Sequence, residues 1–237
     1  MVNSPTQWAT KTFGVVAGRL AETIPACLME AHARARHAHE GVHTQTLEAY
    51  GHGLHAAQYE ALAAGLTPLE GATSRRLQGR TVMLIGSNAI YPIRYAKKDV
   101  PVTEARLRKA VGFRADLIRR HGPEPMQQAF DLGLDELHEE HMHPDVALLP
   151  PDLRLIIVAY ACSMERGVMR VEWGSAELRR EDRYLIWHRH EPLLPPATPR
   201  AAQSRRLEGR TRMVSRSGSG SGCASAATST LRGMSVG

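Results

Sequence analysis

Apolar residues recur at helical spacing through the first third of the chain, where Leu47, Tyr50, Leu54, Tyr59, Leu62 and Leu66 fall on one stripe of a segment rich in Ala, Glu and Arg. The pattern predicts two helices over residues 26–66, broken near Gly51 and Gly53, and Leu66-Thr67-Pro68 ends the helical part. The period then shortens. Thr81–Ile85 and Ile90–Tyr95 are short β-prone runs around Gly86-Ser87-Asn88, which predicts a hairpin.

A helix is expected from Thr103, with Leu107, Ala110, Val111, Leu117 and Ile118 facing inward. A second should run from Glu124 with Met126, Phe130, Leu134, Leu137 and His141 on one face and Pro144 at its end, so the two form a helical hairpin. Leu153–Ala161 is apolar almost throughout, the mark of a strand buried on both faces. Val168–Trp173 and Tyr184–His188 follow it as an antiparallel meander.

These elements do not alternate strictly between strand and helix, so they predict an α+β fold rather than a parallel βαβ sheet. The expected architecture has N-terminal helices and a short antiparallel sheet of about five strands, interrupted by the helical hairpin. A single domain would span residues 1–195, with its helical part at 26–69 and its sheet and helical hairpin at 74–191. Beyond Pro192 the chain turns to Pro, Ala, Ser, Gly and Arg, and residues 196–237 are expected to be a disordered basic tail.

Charge follows the same division. Residues 1–194 hold 23 Lys/Arg and 23 Asp/Glu, whereas residues 195–237 hold seven Arg and one acid, Glu208, so the formal net charge of +6 sits in the tail. Within the tail, residues 204–213 repeat residues 74–83 at eight of ten positions. Arg75, Arg76 and Arg80 in the first copy, and Arg205, Arg206, Arg210 and Arg212 in the second, can each grip phosphates through forked hydrogen bonds. The alternative is a duplicated or frame-altered segment with no role.

Three cysteines, Cys27, Cys162 and Cys223, are odd in number and match no metal spacing, which argues against a disulfide framework and for a reducing, cytoplasmic setting. The apolar stretch from Phe13 to Leu28 is interrupted by Gly18, Arg19, Glu22 and Pro25, so neither a membrane span nor a signal peptide is expected.

His39-Glu40-Gly41-Val42-His43 fits H-E-x-x-H and resembles the active helix of the zincin metallopeptidases. That resemblance implies zinc held by His39 and His43, with Glu40 activating the bound water. The surrounding segment is crowded with histidine, and no strand precedes it. A solvated His-rich helix surface is the simpler account.

His138, His141 and His143 form a second cluster. A third pair, His188 and His190, should share one face of the last strand, and Trp173 with Trp187 should pack across consecutive strands. Asp152 with Glu172 or Glu177 would make a Mg²⁺ nuclease site only if the fold gathers them. The basic helix carrying Arg106, Arg108, Lys109, Arg114, Arg119 and Arg120 departs from the helix-turn-helix pattern at its proline-rich turn. No nucleophilic triad, P-loop or dinucleotide fingerprint is present.

The leading expectation is a non-enzymatic accessory or regulatory protein that binds nucleic acid through Arg–phosphate contacts, its folded body contacting another protein. No cofactor is expected in that case. The alternatives are a zinc-dependent hydrolase centred on His39, Glu40 and His43, and a protein-interaction module with no nucleic-acid role.

Overall fold

A computed structural model describes residues 6–124, 142–179 and 181–194. The chain divides into two units, Met1–Thr198 and Pro199–Gly237, and every described residue belongs to the first. Helices α1 (Gln7–Phe13), α2 (Ala17–Val42) and α3 (Glu48–Leu66) come first, followed by strands β1 (Ala72–Leu77), β2 (Arg80–Ile85) and β3 (Asn88–Ala96). After a 3₁₀ turn at Val102–Glu104 come α4 (Phe113–His121), the short α5 (Pro144–Ala147), and strands β4 (Arg154–Ser163), β5 (Gly167–Leu178) and β6 (Leu185–Leu194). The class is α+β, as expected.

The six strands lie in sequence order across one sheet. Every neighbouring pair is antiparallel except β3 and β4, which run parallel in the register Tyr91↔Ile157 and Ile93↔Ala159. The sheet is therefore mixed, and it has one strand more than expected. The long connection between β3 and β4 crosses one sheet face, which a hairpin could not do and a parallel pair requires.

Each face carries its own core. Helices α1 to α3 cover one, packing Leu20, Ile24, Leu28, Leu54 and Leu62 against Ile90, Ile156, Val158, Tyr160 and Trp173. On the other face, Leu107, Phe113, Leu117, Ile118 and Val146 from the connection meet Ala89, Ile93, Leu155, Ile157 and Ala176. Burial on both faces explains why β4 is apolar at nearly every position.

Helix α3 runs straight through Gly51 and Gly53, and the break between helices lies instead at residues 43–47. Gly65 serves closeness, because a β-carbon there would overlap Cys27 Sγ, whereas one at Gly53 would make ordinary contact at 3.5 Å with Ala35 Cα. Gly65 therefore lets α3 lie tight against α2.

The helix expected from Thr103 shrinks to a 3₁₀ turn, and α4 begins only at Phe113 after Gly112, whose φ is 97°. The intervening backbone bonds to the β5–β6 connection: Leu185 N donates to Ala105 O, and Leu107 N to Arg183 O, both at 2.9 Å. A sheet-edge pairing absorbs residues whose apolar spacing suits a helix equally well. Pro144 opens α5, and His143 caps it by accepting from Asp145 N. The second half of the expected hairpin, residues 125–141 with His138 and His141, and the tail from 195 onward lie outside the described residues, as do Cys223 and the second arginine repeat.

Among the described residues, no helix is long and apolar enough to cross a membrane. Cys27 and Cys162 are free and buried.

Candidate functional site

Residues 74–83, the first copy of the repeat, fold as the β1–β2 hairpin. Leu77 pairs with Arg80 across a two-residue turn in which Gln78 (φ 48°) and Gly79 (φ 74°) are both left-handed, the geometry of a type I′ turn. The tip is anchored: Gln78 N donates to Asp145 Oδ2 at 2.7 Å, and the Gln78 side-chain amide meets His143 Nε2 at 2.8 Å.

Strand alternation divides the three expected arginines. Arg75 lies opposite Val82 and Arg80 opposite Leu77, so both point to the face of the second core, whereas Arg76 lies opposite Thr81 and points the other way. Arg75 and Arg76 are exposed and Arg80 is half-buried.

β2 pairs with β3 only from Met83↔Ile90 to Ile85↔Asn88. Beyond that the strands part, and Pro92, which has no N–H to offer a ladder, follows at once on β3. Tyr59 of α3 and Tyr91 of β3 meet edge-on beside this opening, ring centres 5.9 Å apart. Arg80 lies over the Tyr59 ring at 5.7 Å, and Arg114 of α4 faces the phenol groups of both tyrosines.

His55 packs edge-on against Tyr59 at 5.6 Å. Its pKa is pushed down to about 4 by burial and then by the positive charges of Arg80, Arg114 and His52. Tyr160 donates its phenol proton to Gln58 Oε1 at 2.7 Å, so the Gln58 amide nitrogen is left to donate to His55 Nδ1 at 3.0 Å. That fixes His55 as a neutral ring with its proton on Nε2. Arg114, His55 and Tyr91 carry no sequence motif. Only the fold brings them to Arg80.

A second polar group lies under α2 and α3. Tyr50 Oη stands 2.9 Å from His32 Nδ1 and 3.3 Å from Cys162 Sγ, while Arg94 donates twice to the Cys162 carbonyl. Burial pushes the Cys162 thiol above its ordinary pKa, and the side chain is wholly enclosed, so this Cys–His proximity lacks the exposed thiolate of a nucleophile.

The H-E-x-x-H string is split by the end of its helix. His39 is buried with Nδ1 unpartnered, and Glu40 is exposed and paired with Arg36 at 2.8 Å. His43 lies beyond the last helical residue with a φ of 56°. The i, i+4 geometry that would put both imidazoles on one helix face is thus absent. Among the described residues, no group of three or more His, Cys, Asp or Glu side chains is gathered to hold a metal ion.

On the last two strands a bulge inserts His188 between the pairs Ala176↔Trp187 and Ser175↔Arg189. His188 and His190 therefore take different carboxylates: His188 Nε2 meets Glu177 Oε2 at 3.1 Å, and His190 Nδ1 meets Glu172 Oε2 at 2.7 Å. Arg170 bridges buried Glu172 to Asp99, which makes this group a structural latch. Trp173 and Trp187 do not pack together. Trp173 stacks on Phe13 on one sheet face, and Trp187 donates to Val102 O on the other. Glu172 lies opposite Ala159, whereas Asp152 precedes β4, and Glu177 meets His188.

No known protein family, curated protein or solved structure matches the chain.

Proposed function

We propose that this is an accessory or regulatory protein without a catalytic role of its own, which works in the cytoplasm and associates with nucleic acid through arginine–phosphate contacts. The observation that carries this reading is the hairpin. Arg75 and Arg80 lie diagonally across it on one face, Arg114 stands beside them, and none of these, nor Arg76, has an ion-paired carboxylate among the described residues. Guanidinium groups left free in this way suit phosphate oxygens. In this reading Arg205, Arg206, Arg210 and Arg212, in a second copy of the same peptide, add a tethered grip.

The test is fluorescence anisotropy of a mixed-sequence oligonucleotide across a salt series. Affinity should fall steeply and linearly on a log–log plot and vary little with base sequence. Removing residues 196–237 should abolish most of it, and Arg75→Ala with Arg76→Ala should flatten the salt slope of what remains. Unchanged binding by the truncated chain, or no binding by the whole one, would overturn the reading.

A further inference from the structure

We propose that Arg80, Arg114 and the phenol of Tyr59 form a receptor for a single phosphate group, at the opening where the β1–β2 hairpin parts from β3. This deepens the polyanion reading and rests on it for the class of ligand.

Two guanidinium groups converge on one tyrosine from opposite ends of the fold. Arg80 comes from β2 and covers the ring; Arg114 comes from α4, across the sheet connection, and faces the hydroxyl. Both are half-buried. Surface arginines ordinarily let the head reach into water, but Arg80 lies over the Tyr59 ring and Arg114 is hydrogen-bonded to the Tyr59 and Tyr91 phenols.

Among the described residues, no carboxylate is ion-paired with either of them. Of the acids on the neighbouring turn, Asp116 accepts from His143 N at 3.2 Å and pairs with Arg119 at 3.6 Å, while Asp145 caps the hairpin tip through Gln78 N. Burial raises the Tyr59 phenol far above its ordinary pKa, so it stays neutral, hydrogen-bonded with Tyr91 and Arg114. The depressed basicity of His55, which the charges of Arg80 and Arg114 share in causing, indicates that the local field is positive. Two guanidinium groups on one tyrosine, with no ion-paired carboxylate among the described residues, suit an anion as partner.

Phosphate fits the donors. Two guanidinium forks offer donors to several oxygens of a tetrahedral oxyanion, one Arg80 nitrogen also donating to Gln78 O at 3.3 Å, and the Tyr59 O–H can donate to a further oxygen by turning from Tyr91. A carboxylate offers only two oxygens to the same donors. Arg75, exposed on the same face and diagonal to Arg80, stands where the next phosphate of a chain would be met. The source can be a nucleic-acid diester or a small phosphate ester, and the experiment separates the two.

The full-length chain is titrated with inorganic phosphate while the His55 ring resonances are followed by NMR over pH. Saturable binding should raise the apparent pKa of His55 by bringing negative charge beside it. A matched chloride titration should not. Arg80→Gln and Arg114→Gln, which keep a polar side chain but remove the charge, should each weaken phosphate binding by about tenfold or more, while Arg19→Gln, exposed on α2, should leave it unchanged. Near-UV circular dichroism reports the packing of each variant, and the wild-type titration needs no variant at all.

Oligonucleotide binding is measured on the same proteins. Loss of both ligands in Arg80→Gln and Arg114→Gln supports a site for backbone phosphate. If the variants lose inorganic phosphate while the chain never binds oligonucleotide, the receptor stands, its source is a small ester, and the nucleic-acid reading falls. If phosphate does not saturate or move His55 in the wild-type chain, the receptor is refuted, even where oligonucleotide binding persists through Arg75, Arg76 and the tail.

Discussion

The phenol of Tyr160, in the centre of the sheet, donates to Oε1 of Gln58 on α3 at 2.7 Å, and both side chains are buried. One hydrogen bond thus joins the innermost strand to the helical layer, and through the Gln58 amide it also sets the protonation of His55. Tyr160→Phe leaves Gln58 Oε1 buried with no donor, which should cost about 1–3 kcal/mol. Urea unfolding of Tyr160→Phe, Gln58→Leu and the double variant checks this. The double variant should lose less than the two single losses together, because each single change strands the other partner.

Gly65→Ala should destabilise the helical layer by about 1–3 kcal/mol through overpacking, because the added carbon overlaps Cys27 Sγ and lies 3.1 Å from Thr23 Cγ2. Cys27→Ala in the same chain removes the sulfur and should recover part of the loss. If Gly65→Ala unfolds at the wild-type midpoint, the close approach of α2 and α3 is wrong.

His55 makes stability depend on pH in a definite direction. Its pKa in the folded chain is about 4, against an ordinary value of 6.5, so between those limits the unfolded chain binds the extra proton. Stability from this group is present in full above pH 6.5 and is lost as pH falls towards 4. His32 and His121, whose basicity burial also lowers, act in the same sense. The melting temperature should therefore drop between pH 6.5 and 4, and His55→Gln should make that drop shallower.

The hairpin turn has two left-handed residues, and glycine occupies only the second. Gly79→Ala should cost about 1–2 kcal/mol by placing a Cβ in the left-handed region. Because the turn sets the register that puts Arg75 and Arg80 on one face, oligonucleotide affinity should fall with it. A variant that keeps full stability would show that the turn has another form.

Much of the fold can be read along the chain because its signals are local. The unbroken apolar run of β4 requires two covered faces, and the meander of β5 and β6 follows from β-prone runs separated by charged turns. Helices α2 and α3 follow from apolar positions three and four apart. Strand β1 was not legible: four of its six residues are exposed, so it shows no alternation, and it exists because a type I′ turn folds it back on β2. Gly51 and Gly53 read as breaks because glycine weakens an isolated helix, yet in the packed protein α3 continues through both.

The candidate site was half legible. Arg75, Arg76 and Arg80 stand out in the sequence as a repeated peptide, but which of them act together depends on strand alternation, and that requires the register. His188 and His190 show the same limit, because a single inserted residue on β6 turns an expected shared face into two separate carboxylate pairs.

The sequence by itself determined the class of the fold, the apolar centre at β4 and the concentration of charge in residues 195–237, since each depends only on residue type and short-range spacing. Tertiary structure alone decided that β3 and β4 run parallel, that Arg114 and His55 join Arg80 at Tyr59, and that His39 and His43 do not share a helix face. Those relationships join positions far apart along the chain or hinge on where a helix stops, and both are settled by which surfaces bury each other.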